Sequence, residues 1–338
     1  MSEEILKITS LQTHFFTDQG EIPAVDGVSL TVHKGEVVGI VGESGCGKSV
    51  TSLSIMQLVP SPPGKIVGGT IDFKGENLLN VSKKRIKDIR GNEISMIFQE
   101  PMTSLDPLFT IGNQLREALQ IHQKINKKQA NQKSIEMLKL VGIPRAEEVM
   151  NDYPHQLSGG MRQRVMIAIA MACDPEILIA DEPTTALDVT IQAQILDLMK
   201  KLNQEKETAI LLITHDLGVV AEICDRVIVM YAGQVVEEGT TREILKDPTH
   251  PYTKGLIRSI PKLHEKDQKL YSIPGTVPKP KMGMLGCRFK DRCEFAHDRC
   301  FGEAPELFSL GNNRYSRCFL LDETERKVDS DAEANIGS

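Results

Sequence analysis

The stretch GESGCGKS, Gly42 to Ser49, constrains this chain more than any other. An apolar run from Val37 to Val41 precedes it and reads as a buried strand, and a helical pattern follows from Lys48. Gly-x4-Gly-Lys-Ser between a strand and a helix is a P-loop. Its glycines let the backbone wrap closely, so that N–H groups point at phosphate oxygens and the helix N-terminus adds its positive dipole end. Gly42, Glu43, Ser44, Gly45, Cys46, Gly47, Lys48, Ser49 and Val50 are therefore the candidate phosphate-binding residues. Lys48 is expected to reach the β and γ phosphates, and the Ser49 hydroxyl to hold Mg2+.

A second apolar run, PEILIADEP, ends in Asp181 and Glu182. A carboxylate at the C-terminal end of a parallel strand lies where ligands collect in open α/β sheets. Asp181 is expected to orient Mg2+ through water, and Glu182 to act as general base on the attacking water. About 110 residues beyond the P-loop comes QLSGGMRQR, in which Ser158 caps a long helical pattern behind Gly159 and Gly160. A serine and two glycines at a helix start make a second bare anion site.

Over roughly residues 5–260, LSGGMRQR together with the P-loop resembles the signature of ATP-binding-cassette (ABC) ATPases. The resemblance implies an α/β, P-loop NTPase (RecA-like) ABC cassette. Its core sheet would be mainly parallel, with an antiparallel β subdomain and a helical subdomain over about residues 90–160. It also implies roles for further residues. Gln99 in MIFQEP matches the glutamine that touches Mg2+ and the attacking water. His215 in LLITHD matches the switch histidine at the γ-phosphate, and Ala186–Asp188 matches the D-loop at the dimer contact. Phe15 or Phe16 would stack on adenine, strand alternation favouring Phe15. In this family ATP lies between the P-loop of one chain and the signature of another. The implied assembly is a head-to-tail dimer, in which Ser158, Gly159 and Gly160 serve the partner's ATP. The implied activity is ATP hydrolysis, by positioning and charge stabilisation.

Composition narrows the classes. Net charge is −6 over 338 residues and Trp is absent, which argues against a nucleic-acid or carbohydrate stacking surface. The lysine-rich HQKINKKQANQK is expected to be a solvated helix face. The longest apolar run, Val165 to Cys173, is nine residues, well short of the ~20 that span a bilayer. MSEEILKITS lacks the basic and apolar regions of a signal peptide. A membrane role is therefore expected to come through partners.

Three stretches resemble a particular branch, the ATPases of peptide and nickel importers: QEPMTSLDPLFTIGNQL, HPYTKGLIRSIP and GTVPKPKMGMLGCRFKDRCEFAHDRC. That resemblance implies a subunit peripheral to the cytoplasmic face of a bacterial plasma membrane. It would work with two membrane permeases, a paralogous ABC ATPase (a heterodimer, or else a homodimer) and indirectly an extracytoplasmic solute-binding protein. Peptide is preferred over nickel as cargo on family frequency alone. Soluble ABC factors of translation or DNA repair are the other class. They carry paired cassettes or long inserts, which this chain lacks.

The C-terminal extension, residues 261–320, holds Cys287-x5-Cys293-x6-Cys300-x17-Cys318. Four thiolates complete either a Zn2+ site or a [4Fe–4S] cluster, and the spacing does not choose. Similar cysteine sets in the peptide-importer branch are associated with iron–sulfur, which places that group ahead of zinc. Arg288, Lys290, Arg292 and Arg299 are expected to lower the thiol pKa values. These cysteines lie outside the hydrolytic motifs, which implies a folding or regulatory site. Residues 321–338 are acidic and polar and are expected to be a disordered tail. Cys173 and Cys224 are expected in the core.

Overall fold

The computed structural model describes residues 3–99, 105–185, 188–260 and 271–322. The expected tail from 323 onward lies outside them, as do Ala186 and Leu187 of the D-loop match and residues 100–104 after Gln99.

Among the described residues the strands form two sheets. The first joins β1 (Glu4–Thr17), β2 (Gly20–His33), β4 (Gly64–Phe73) and β5 (Glu76–Asn77), all antiparallel, in the order β2-β1-β4-β5. The second is the core. Its parallel part runs β9 (Arg226–Tyr231), β3 (Val37–Val41), β8 (Ala209–Thr214), β7 (Ile177–Asp181) and β6 (Ile94–Ile97). Beyond β9 it continues antiparallel through β10 (Gln234–Thr240), β12 (Arg314–Ser316) and β11 (Phe308–Gly311). The last two strands come from the C-terminal extension, so that segment builds directly onto the core sheet.

Strands β3, β7 and β8 are buried at every position, as expected of parallel strands covered on both faces. Alternate residues feed two cores. Val37, Val41, Leu178, Ala180, Ile210 and Leu212 face the helices, including Ile111–Gln123, Lys127–Leu140 and Gly159–Met171. Val38, Ile40, Ile177, Ile179, Leu211 and Ile213 face the antiparallel sheet. Cys173 and Cys224 are buried in the first of these cores, as expected.

Two differences from the sequence reading have physical causes. Residues 94–97, expected inside the helical region, form β6 and pair with β7. Four apolar-rich residues are too few for periodicity to separate strand from helix. In the lysine-rich stretch Lys124, Lys127 and Lys128 are exposed while Ala130 is buried, and the stretch breaks into two helices. Lys124 adopts a left-handed conformation (φ 52°), and Asn126 starts the second helix with a capping box to Gln129.

Candidate functional site

Strand β3 delivers the chain into the P-loop, and glycine is required at its corners. A Cβ at Gly42 (φ 150°) would stand 2.3 Å from the Met230 carbonyl oxygen, and one at Gly47 (φ 107°) 2.5 Å from that of Ala24. The helix Lys48–Ile55 follows and is pinned to β1, where the Thr13 and Ser54 hydroxyls are 2.8 Å apart. Lys48 is buried, and its Nζ donates to the carbonyls of Gly42 (2.8 Å) and Glu43 (3.1 Å). Its charge thus sits within the loop's curve.

The end of β7 lies against the start of that helix. Ser49 Oγ donates to Asp181 Oδ1 at 3.1 Å across 132 positions of sequence. Burial raises the Asp181 pKa against the pull of that hydrogen bond and of Lys48. A half-buried hydroxyl beside a buried carboxylate supplies the hard oxygen donors that Mg2+ takes.

Next to Asp181, Glu182 sits at φ 49°, a left-handed conformation that costs energy in any residue with a side chain. Its N–H donates to the Ile213 carbonyl of β8 at 2.8 Å, which holds the turn. The side chain is met by three donors. Gln99 Nε2 reaches Oε2 at 3.1 Å, the Thr185 hydroxyl reaches the same oxygen at 3.0 Å, and His215 Nδ1 lies 3.2 Å from Oε1. Burial pushes the carboxyl up, but the contacts with His215, Thr185 and Gln99 outweigh it and hold Glu182 below the ordinary glutamate value. Gln99, Glu182 and His215, remote in sequence, therefore converge on one ionised carboxylate, with a cleft of about 340 Å3 opening beside Gly42, Glu43 and His215. Thr185 was not foreseen, since a threonine in a strand-ending turn carries no sequence signal of its own.

Ser158 caps the helix Gly159–Met171, its Oγ accepting from Met161 N at 3.3 Å. Ser158 and Gly159 are exposed, while Gly160 packs where an added Cβ would meet Ile191 at 3.0 Å. One turn in, the buried Gln163 donates to the Pro183 carbonyl, tying the signature helix to the segment after Glu182. Asp188 caps the helix Val189–Lys206, accepting from Ile191 N at 2.9 Å. Phe15 is half-buried and packs over Gly64, where a Cβ would come within 3.0 Å of its ring; Phe16 is exposed.

A family model described as ABC transporter matches residues 25–185, and one described as the oligopeptide/dipeptide transporter C-terminal region matches residues 236–300. The chain is 56% identical over 319 residues to the oligopeptide transport ATP-binding protein AppD of Bacillus subtilis, across 94% of this chain and 97% of that relative. It is 49% identical over 323 residues to the dipeptide transport ATP-binding protein DppD of Escherichia coli, across 95% of this chain and 98% of that relative. The chain belongs to the family of ATP-binding proteins of oligopeptide and dipeptide ABC transporters. Among solved structures, a dimeric ATP-binding cassette in a post-hydrolysis state bound to ADP and Pi is similar at a TM-score of 0.64. That likeness has 30% identity and spans 70% of this chain and 99% of the other. The structure of cbiO1 from Clostridium perfringens, part of the ABC transporter complex cbiONQ, is similar at a TM-score of 0.62 and 27% identity, over 73% of this chain and 92% of that one. The chain is accordingly an ABC ATPase, and among its described residues no helix is long and apolar enough to cross a membrane.

The C-terminal match takes in Cys287, Cys293 and Cys300 of the cysteine extension and ends before Cys318. Cys287, Cys293, Cys300 and Cys318 line one enclosed cavity of about 20 Å3, with Phe289, Phe295 and Phe319 among its walls. Gly286 (φ 76°) shapes it, since a Cβ there would stand 2.2 Å from the Cys300 carbonyl oxygen. Yet no group of three or more His, Cys, Asp or Glu side chains among the described residues is disposed to hold a metal ion. The residues fit a metal in kind but not in spacing. The expected effect of the basic neighbours is also reversed. Burial pushes the thiols of Cys287 and Cys293 up, and that of Cys318 to about 12. The cations are engaged elsewhere: Arg288 with Asp26, Arg292 with Glu43, Arg299 with Asp322, and Lys290 with the Leu285 carbonyl.

Proposed function

We propose that this chain hydrolyses ATP to drive peptide import through a membrane ABC permease complex. The observation that carries the hydrolytic half is the Glu182 carboxylate, held ionised by Gln99, Thr185 and His215 one residue from the Ser49–Asp181 pair. In this reading Lys48 and the P-loop amides take the β and γ phosphates. Ser49, Asp181 and Gln99 hold Mg2+, which neutralises charge on the phosphate oxygens when bound. Glu182 accepts a proton from the attacking water, and His215 and Gln99 fix the direction of its oxygens. Phe15, or its neighbour Phe16, stacks on adenine. Ser158 and Gly159 are exposed at a helix N-terminus, with the half-buried Gly160 beside them, which supports their serving the ATP of a second cassette, with Asp188 near that contact. The second cassette is a paralogue or another copy.

The peptide half is supported by close likeness to oligopeptide and dipeptide transport ATP-binding proteins through the C-terminal region. The chain would dock on two permeases at the cytoplasmic membrane face, fed by a solute-binding protein outside. The test is uptake of labelled peptides by cells carrying wild-type or Glu182→Gln protein. Uptake lost with the variant supports the reading. Unchanged peptide uptake with impaired nickel uptake would replace it with the metal-importer alternative, and co-purification with ribosomes or DNA instead of permeases would sink both.

We further infer that the four extension cysteines are the ligands of a resident metal group, an iron–sulfur cluster ahead of zinc. Support comes from four thiols lining one small cavity, and the reading requires them to draw closer around the bound group than they stand here. Anaerobic purification tests it: brown protein absorbing near ~400 nm supports the cluster, and colourless protein with stoichiometric zinc supports the alternative. Protein carrying neither would remove the inference.

A further inference from the structure

One residue of the P-loop is gripped at three places. The Glu43 carbonyl accepts from Lys48 Nζ at 3.1 Å. Its N–H donates to the Tyr252 hydroxyl at 2.8 Å. Its carboxylate receives both Nη atoms of Arg292, at 2.7 and 3.1 Å. The first grip lies within the loop. The other two come from segments about 210 and 250 residues away.

Both distant grips are built to be rigid. Tyr252 is fully buried and meets the Tyr231 ring edge-on at 4.6 Å. The Arg292 side chain is 5% exposed. Its Nε donates to the Pro274 carbonyl at 2.7 Å, and its guanidinium lies 5.8 Å from the Tyr231 ring and 5.9 Å from the Phe289 ring. A two-pronged arginine–carboxylate pair fixes direction as well as distance. Arg292 adjoins Cys293, and Phe289 walls the cysteine cavity. A continuous packed path therefore runs from the thiols through Phe289 and Arg292 to Glu43, whose carbonyl holds Lys48.

We propose that Arg292, a residue of the cysteine extension, is a positioning residue for the P-loop, and that it raises nucleotide affinity by holding Glu43. Arg292 touches no phosphate in this scheme; it acts by fixing Glu43. Removing it frees the Glu43 carboxylate to turn into the loop, where it competes with phosphate for Lys48.

The experiment is MgATP binding and steady-state hydrolysis by the full-length chain. Arg292→Ala is expected to weaken MgATP binding on the order of tenfold, within the usual range of coupling between sites, and to raise KM while leaving kcat within about twofold. In a Glu43→Gln background the same substitution is expected to add nothing, because its route of action is already cut. Arg299→Ala, which breaks the Arg299–Asp322 pair inside the extension, is expected to lower stability without the tenfold change in affinity. If Arg292→Ala does not fold, Arg292→Lys serves. A single-pronged ammonium is expected to give an intermediate affinity. Wild-type affinity in folded Arg292→Ala or Arg292→Lys protein, equal losses with and without Glu43→Gln, or a fall in kcat at constant KM would each overturn the proposal.

Discussion

Oε1 of Glu182 lies 3.2 Å from Nδ1 of His215, while its other oxygen takes Gln99 and Thr185. The carboxylate is thus oriented from both sides and kept ionised. Glu182→Gln removes the base and keeps the shape, with one oxygen left to accept from Gln99 and Thr185. Hydrolysis is expected to fall by at least ~100-fold, the usual worth of a general base. MgATP binding should persist. Steady-state turnover beside equilibrium nucleotide binding checks both.

His215→Ala is expected to slow turnover as well, but not independently. Both side chains act on one oxygen pair, so a Glu182→Gln, His215→Ala double variant should be no slower than Glu182→Gln alone, within about twofold. Turnover that multiplies the two single losses would mean that His215 acts elsewhere.

Two glycines offer opposite expectations. Gly42→Ala would force a Cβ to 2.3 Å from the Met230 carbonyl, a backbone atom that cannot swing away. A stability loss of about 3 kcal/mol is expected, read by urea denaturation. Gly159→Ala meets nothing within 4 Å and has ordinary φ. It should fold as wild type. If the signature serves a partner's ATP, it should still lower turnover of the assembled pair.

His250 gives a pH signature. Its Nδ1 accepts from Tyr252 N at 3.0 Å, which requires an unprotonated nitrogen. Complete burial, helped by the Arg317 and Lys254 charges, pushes its pKa from 6.5 down to about 3. Between those values the unfolded chain binds a proton that the folded protein refuses, so stability falls as pH drops through this window. The slope is at most about 1.4 kcal/mol per pH unit. His250→Asn keeps a good helix-capping acceptor and removes the titration. Its urea midpoint should change less between pH 7 and pH 5 than that of wild type.

The hydrolytic centre was legible because each part ends an apolar strand or starts a helix. Val37–Val41 runs into Lys48, Ile177–Ala180 into Asp181 and Glu182, and Ala209–Thr214 into His215. Local patterns of that kind survive in sequence. Strand β6 did not, because the four residues Ile94–Ile97 span barely one helical turn, too few to tell a period of 3.6 from a period of 2. The arginines beside the cysteines misled for a different reason. Sequence gives proximity along the chain, but the direction of a side chain is set by distant partners. Nothing in CRFKDRC tells that Arg292 points to a glutamate 249 positions earlier. Likewise HPYTKGL reads in sequence as a family mark, and only the fold shows that His250 caps the helix whose Tyr252 receives the Glu43 amide.

The pairing of β12 with β10 has a consequence for solubility. Glu237 and Glu238 of β10 stand opposite Ser316 and Tyr315, and Arg317 closes the pairing by donating to the Val235 and Val236 carbonyls at 2.9 and 2.8 Å. A chain cut after residue 260 would keep every residue proposed for hydrolysis, yet it would leave those β10 carbonyls and amides bare. Exposed strand edges of that kind recruit other chains. The hairpin β11–β12 covers that edge with partners from the same chain and leaves only the four-residue β11 at the margin of the sheet.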